Sequence, residues 1–211
     1  MEIFIKDKDS VEHNINNLKE FEKLYIKYFP IEEEREPLEN ILHRIENHLM
    51  PITLIVIETI DEKVVGGCIS DYYPEIKMLM PIYLFVDENY RKYGIGKKLA
   101  NIMFEYYPEC EHIFFETENP EKTDEQYITL NPQVRLNMYL RWGYEIVPIN
   151  YIQPPLTTTG KCGTNLFLMH KGKPLTKEVL KTFLYHFYKE LKFEESDEYK
   201  QLCNEIEKKF P

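Results

Sequence analysis

One junction constrains this chain more than any other stretch: a strand pattern that runs through two glycines into a helix pattern. The strand is Pro81-Ile-Tyr-Leu-Phe-Val86, and the helix over residues 95–106 has apolar Ile95, Leu99, Ile102, Met103 and Tyr106. Between them lies Arg91-Lys92-Tyr93-Gly94-Ile95-Gly96. The glycines let the backbone turn sharply and present consecutive N–H groups. The helix start adds unpaired donors and partial positive charge. Together these suit an anionic phosphate group. The spacing is not that of an ATP or GTP loop, which needs four residues between its glycines and a Lys-Ser/Thr after the second. A dinucleotide fingerprint needs a third glycine where Leu99 stands. The plainer alternative is a strand–turn–helix connection that happens to hold two glycines.

The chain has 211 residues, which fits one domain with extra elements. No apolar run approaches the ~20 residues needed to span a bilayer. The first residues, Met1-Glu-Ile-Phe-Ile-Lys6, lack a signal-peptide pattern, so a cytoplasmic protein without membrane association is expected. A net charge of −10 argues against nucleic-acid binding. It is compatible with a cationic substrate, although solubility is the commoner reason for such a charge. Cys68, Cys110, Cys162 and Cys203 form no Cys-x-x-Cys pair, and the histidines show no ligand spacing. Free thiols and no metal are expected.

Along the chain, residues 2–6 read as an edge strand. Residues 11–29 and 37–49 read as helices, the first capped by Asp9 or Ser10 and the second opened by Pro37. The acidic run 32–36 between them reads as a solvated loop or helix start, with recruitment of a basic substrate as the alternative. Strands are expected at 52–59, 63–70 and 81–86, with Asp71-Tyr-Tyr-Pro-Glu75 as an insert in the meander. After the 95–106 helix come a strand at 112–117, a long polar loop at 119–131 and a helix at 133–142 stopped by Gly143. Short strands follow at 144–147 and 164–170, separated by loops at 151–156 and 157–160. Helices from Thr176 and over 196–209 close the chain. Residues 1–173 are taken as the main domain and 174–211 as a helical extension packed on it. The aromatic faces of that extension are read as core cover. A wall of the acceptor cleft and a homodimer contact are the alternatives.

Arg135-Leu-Asn-Met-Tyr-Leu-Arg-Trp-Gly-Tyr144 supplies the second motif. With Arg91-x-x-Gly94-x-Gly96 before it, the chain resembles the GNAT family of acyl-CoA-dependent N-acyltransferases over roughly residues 52–169. The two motifs occur in the family's order and context. The resemblance implies an α/β fold with a central, mostly antiparallel sheet, splayed strands and flanking helices. It implies acetyl-CoA as donor and no metal. Leu84, Phe85 and Val86 would pair with the pantetheine arm, and Val86 N–H would meet the thioester oxygen. The N–H groups of residues 92–97 (Lys92, Tyr93, Gly94, Ile95, Gly96, Lys97) would hold the pyrophosphate, with Arg91 also counted among the cofactor-binding residues. Tyr139 would protonate or hydrogen-bond the coenzyme A sulfur, and a core aromatic is the other reading of it.

Acyl transfer to an amine also needs a neutral nucleophile and a stabilised carbonyl oxygen. The family's general-base carboxylate before the phosphate loop is missing from Met78-Leu-Met-Pro-Ile82. Glu116, in Phe115-Glu-Thr-Glu-Asn119, is the chosen substitute, ahead of Glu118. This strand end and Tyr151-Ile-Gln-Pro-Pro-Leu156 resemble one subgroup of the family. Tyr72, Tyr73, Glu75 and Tyr151 fall in segments the family uses around the acceptor, where ordinary loop aromatics are the plainer reading. The expected activity is acetyl transfer to a primary amine of a small molecule or peptide. The alternatives are a non-catalytic acyl-CoA binder and, more distantly, a nucleotide-binding protein.

Overall fold

The computed structural model describes residues 2–7, 15–32, 35–123, 130–156 and 160–210. The expected helix start at 11–14 with its caps, part of the 119–131 loop and residues 157–159 lie outside these. The chain divides into two compact units, Met1–Cys110 and Glu111–Pro211.

In the first unit, β1 (Glu2–Lys6), β2 (Ile52–Ile60), β3 (Lys63–Tyr73) and β4 (Met78–Val86) pair in that order, each antiparallel to the next. Side chains alternate across a strand. Ile55 and Ile57 of β2 therefore face one core, with Val64, Ile69, Tyr83 and Phe85 beside them. That core is closed by Phe21, Tyr25 and Tyr28 of α1 (Ile15–Tyr28) and by Leu38, Ile41 and Ile45 of α2 (Leu38–Glu46). Its buried tyrosines keep partners: Tyr25 O–H donates to Glu36 O at 2.9 Å, and the Tyr83 hydroxyl accepts from Glu36 N at 3.0 Å. The other face takes α3 (Ile95–Tyr106) through Ile95, Leu99 and Met103.

Two adjacent glycines on β3 make room for both layers. A Cβ on Gly67 would stand 2.4 Å from the Phe21 ring of α1. A Cβ on Gly66 would stand 3.3 Å from both Ile95 and Leu99 of α3.

The β3–β4 hairpin differs from expectation. Asp71, Tyr72 and Tyr73 are not an insert; they extend β3 and pair with Met80, Leu79 and Met78. Only Pro74–Ile76 turns, as a single 3-10 turn, and Glu75 is exposed there. The strand therefore begins at Met78 rather than Pro81. Register steps from Ile69↔Tyr83 to Ser70↔Pro81, leaving Ile82 as a bulge. A bulge is where a strand tolerates a proline that has no N–H to give.

In the second unit, β5 (His112–Glu118) pairs antiparallel with β7 (Leu166–Gly172), which also carries β6 (Glu145–Ile146). Asn131 caps α4 (Pro132–Arg141) by accepting from Gln133 N and Val134 N, with Pro132 in the first turn. Gly143 stops it in the left-handed region at φ +84°. Thr176 caps α5 (Lys177–Glu190), and Ser196 caps α6 (Asp197–Lys209). Phe183 of α5 stacks on Phe114 of β5 at 4.2 Å, so α5 builds the core of this unit. Among the described residues, no helix is long and apolar enough to cross a membrane.

Candidate functional site

The glycine loop is shaped by what precedes it. As β4 ends, Asp87 N–H still donates to Val65 O at 2.8 Å. Asp87 Oδ1 then accepts from both nitrogens of Asn89 at 2.9 Å, forming a 3-10 turn over Glu88–Tyr90. Tyr28 of α1 accepts from Glu88 N at 2.8 Å. Arg91 Nε donates to Val86 O at 3.2 Å, and its guanidinium lies over the Tyr28 ring. The Arg91 side chain thus braces the loop from within. Lys92 at φ +75° and Gly94 at φ +78° then reverse the chain. A Cβ on Gly94 would meet nothing within 4 Å, so the backbone angle, not space, calls for glycine there.

Ile95, 2% exposed, plants the start of α3 in the core. Gly94 offers no side-chain cap, and the first turn of α3 carries no acid. Lys92, Tyr93 and Lys97 are exposed around it. The N–H donors of that turn, with two lysines beside them, fit a pyrophosphate. On β4, Phe85 is packed against Phe21 and Tyr28, while Leu84 and Val86 are half-buried on the alternate face.

In the second unit, Tyr139 of α4 sits in an aromatic cluster: 4.5 Å from Phe115, 5.6 Å from Trp142 and 6.1 Å from Tyr144, centroid to centroid. Burial pushes its hydroxyl up to about 12, with Arg135 pulling down and Glu118 pushing up. Arg135 and Glu118 are ion-paired. Among the described residues the Tyr139 hydroxyl has no hydrogen-bond partner. Glu116 of β5 is half-buried and held at both oxygens. Tyr151 O–H donates to Oε1 at 2.5 Å, and Gln153 Nε2 donates to Oε2 at 2.6 Å. Burial pushes its carboxyl up to about 7, against the pull of those two donors.

The model of the acetyltransferase (GNAT) family matches residues 18–126, more than half of the chain. The chain belongs to the GNAT family of acetyltransferases. No curated protein shows significant sequence similarity to it. Among solved structures, a protein described as a GNAT-family acetyltransferase from Bacteroides thetaiotaomicron is similar. It is 18% identical, covers 92% of this chain and 99% of its own, and has a TM-score of 0.70. A GNAT acetyltransferase from Staphylococcus aureus Mu50 is 17% identical, with coverage of 82% and 100% and a TM-score of 0.55. A Bacillus subtilis acetyltransferase solved with CoA is 14% identical, with coverage of 82% and 98% and a TM-score of 0.52. At such identities the likeness is one of GNAT fold.

Within the first unit, the structure brings residues 91–97 together at the start of α3. Within the second, it brings Tyr151 onto Glu116 and leaves Tyr139 in a separate aromatic cluster. Tyr72 and Tyr73 lie in β3, buried, rather than in a loop, with Tyr73 next to the turn at Pro74. In the sequence Gln153 stands out only as part of a motif, and nothing there assigns Arg135 a role. The signal for Gln153 was its place two residues after Tyr151, since i and i+2 share a face of an extended segment.

Proposed function

We propose that this chain transfers an acetyl group from acetyl-CoA to a primary amine by direct attack. The observation that carries the reading is the α3 N-terminus. In a GNAT-family chain, a left-handed Gly94 opens a helix turn free of acids and of a side-chain cap, flanked by exposed Lys92 and Lys97. The backbone N–H groups of residues 91–97 take the pyrophosphate. Arg91 contributes through its backbone, since its side chain is engaged with Val86 and Tyr28. Leu84, Phe85 and Val86 offer main-chain groups to the pantetheine arm, and Val86 N–H meets the developing oxyanion.

The amine nitrogen bonds to the thioester carbon as the C–S bond breaks. Sulfur leaves with the bonding pair and takes the Tyr139 proton. A hydroxyl raised by burial stays protonated at neutral pH, and one with no hydrogen-bond partner among the described residues is available to a leaving group. Glu116 takes the proton the amine gives up.

Tyr139→Phe tests the assignment. Turnover should fall about a hundredfold, with acetyl-CoA affinity within about twofold of wild type. Equal turnover in the two proteins removes Tyr139 from the chemistry.

A further inference from the structure

Two carboxylates on β5 are treated differently by their surroundings. Glu118 is ion-paired with Arg135 of α4. Glu116, two residues earlier, is half-buried and receives one neutral donor at each oxygen, Tyr151 O–H and Gln153 N–H. No cation of the described residues forms an ion pair with it, and none acts on its carboxyl electrostatically. Carboxylates withdrawn from water normally have a cation beside them.

The donors are themselves fixed. Gln153 exchanges two backbone hydrogen bonds with Gly163, at 2.8 and 2.9 Å. A Cβ on Gly163 would stand 3.1 Å from Gln153 Oε1, so a larger residue there would crowd that amide. Between the two donors, Ile152 offers its carbonyl to the buried Tyr188 hydroxyl of α5. Tyr151 is only 4% exposed. Spaced i and i+2 on one extended segment, both side chains reach the same carboxylate.

We propose that Tyr151 and Gln153 are positioning residues that hold Glu116 ready for a cationic acceptor, whose ammonium group is the countercharge this carboxylate lacks. The proposal rests on the acetyl-transfer reading above. A primary amine acceptor arrives as R–NH3+. At the site an N–H bond of the ammonium breaks and an O–H bond forms on Glu116, which passes that proton to water before it takes the one the nitrogen gives up after attack. The nitrogen keeps its lone pair for attack.

The surrounding groups do not compete for that role. Across the sheet Glu116 is opposite Leu168 of β7. From α5 the ionisable neighbour is Tyr188, which also feels Cys162, Cys203 and Glu198, and its hydroxyl is pushed up by burial. Of the two arginines on α4, Arg135 is already paired with Glu118 and Arg141 is exposed. Burial raises the Glu116 carboxyl to about 7, while Tyr151 and Gln153 lower it; losing either donor moves it further up.

The test is a side-chain carbon NMR titration of the full chain labelled with 13C-glutamate, from pH 5 to 9. Glu116→Gln identifies the signal by deleting it. The signal should titrate near neutrality. Its midpoint should rise by about half a unit or more in Tyr151→Phe and in Gln153→Leu. In the wild type, n-butylamine should lower the midpoint by a similar amount, and n-butanol should leave it in place. A midpoint in the ordinary carboxylate range overturns the proposal, as does one that neither variant moves or that n-butylamine leaves unchanged. The butylamine arm needs no variant, so a misfolded variant cannot decide the result. No arm needs acetyl transfer. If butylamine moves Glu116 but no acetylated amine ever forms, the acetyl-transfer reading fails while the ammonium site stands.

Discussion

Glu116 is the residue whose surroundings have the clearest consequence for stability. Its folded carboxyl stands at about 7 against an ordinary 4.5. Between those values the unfolded chain has released a proton that the folded chain still holds. The contribution is complete below about pH 4.5 and is lost as pH rises through about 7. Glu116→Gln cannot titrate, so the loss of stability from pH 4.5 to 8 should be smaller in the variant, by up to about 3 kcal/mol. Urea unfolding of both proteins at the two pH values measures it, and parallel curves would show that Glu116 is ionised normally. Glu116 and Tyr139 stand out in the sequence as candidates because each sits near a patterned strand end or helix end. Their environments do not. Tyr151 and Gln153 lie 35 and 37 residues from Glu116, and only the fold brings them to its two oxygens.

At the scale of elements, the strand, loop and α3 act as one device. Gly94→Ala forces a Cβ into the left-handed region at a cost of about 1 kcal/mol, and relief of that strain re-aims the first N–H groups of α3. Acetyl-CoA affinity should fall about tenfold, equivalent to about 1.4 kcal/mol, by calorimetric titration. Undiminished affinity would place the phosphates elsewhere. This device was readable, down to the bounds of α3 at residues 95 and 106, because glycines and a 3.6-residue period are local signals. The β3–β4 hairpin was not. Pro81 looked like a strand start, and Tyr72-Tyr73-Pro74-Glu75 looked like an insert. A single bulged residue, Ile82, absorbs the proline and lets both strands run on. Bulges depend on the partner strand, which a one-dimensional pattern does not display.

For the whole molecule, GNAT membership supplies the donor chemistry, and the second unit supplies what is particular to this chain. Its C-terminal helices do more than cover a surface. Phe183 of α5 stacks on Phe114 of β5, and Tyr188 pins the segment that carries Tyr151 and Gln153. That arrangement follows from tertiary contacts, so the sequence showed the helices but not what they hold. Acetyl-CoA that binds the folded chain alone should stabilise it by about 2.7 kcal/mol at a hundredfold excess over Kd, raising Tm by roughly 5–10 °C. An unchanged melting curve would mean that the folded chain does not bind it. The most direct test of acetyl transfer to an amine is to count both products in one reaction. The full chain, acetyl-CoA and a panel of aliphatic primary amines are incubated together, with free thiol titrated and acetylated amine quantified by mass spectrometry. The expected result is amine-dependent thiol release matched one for one by acetylated amine. Saturable binding of acetyl-CoA with no amine-dependent thiol release across the panel would contradict it.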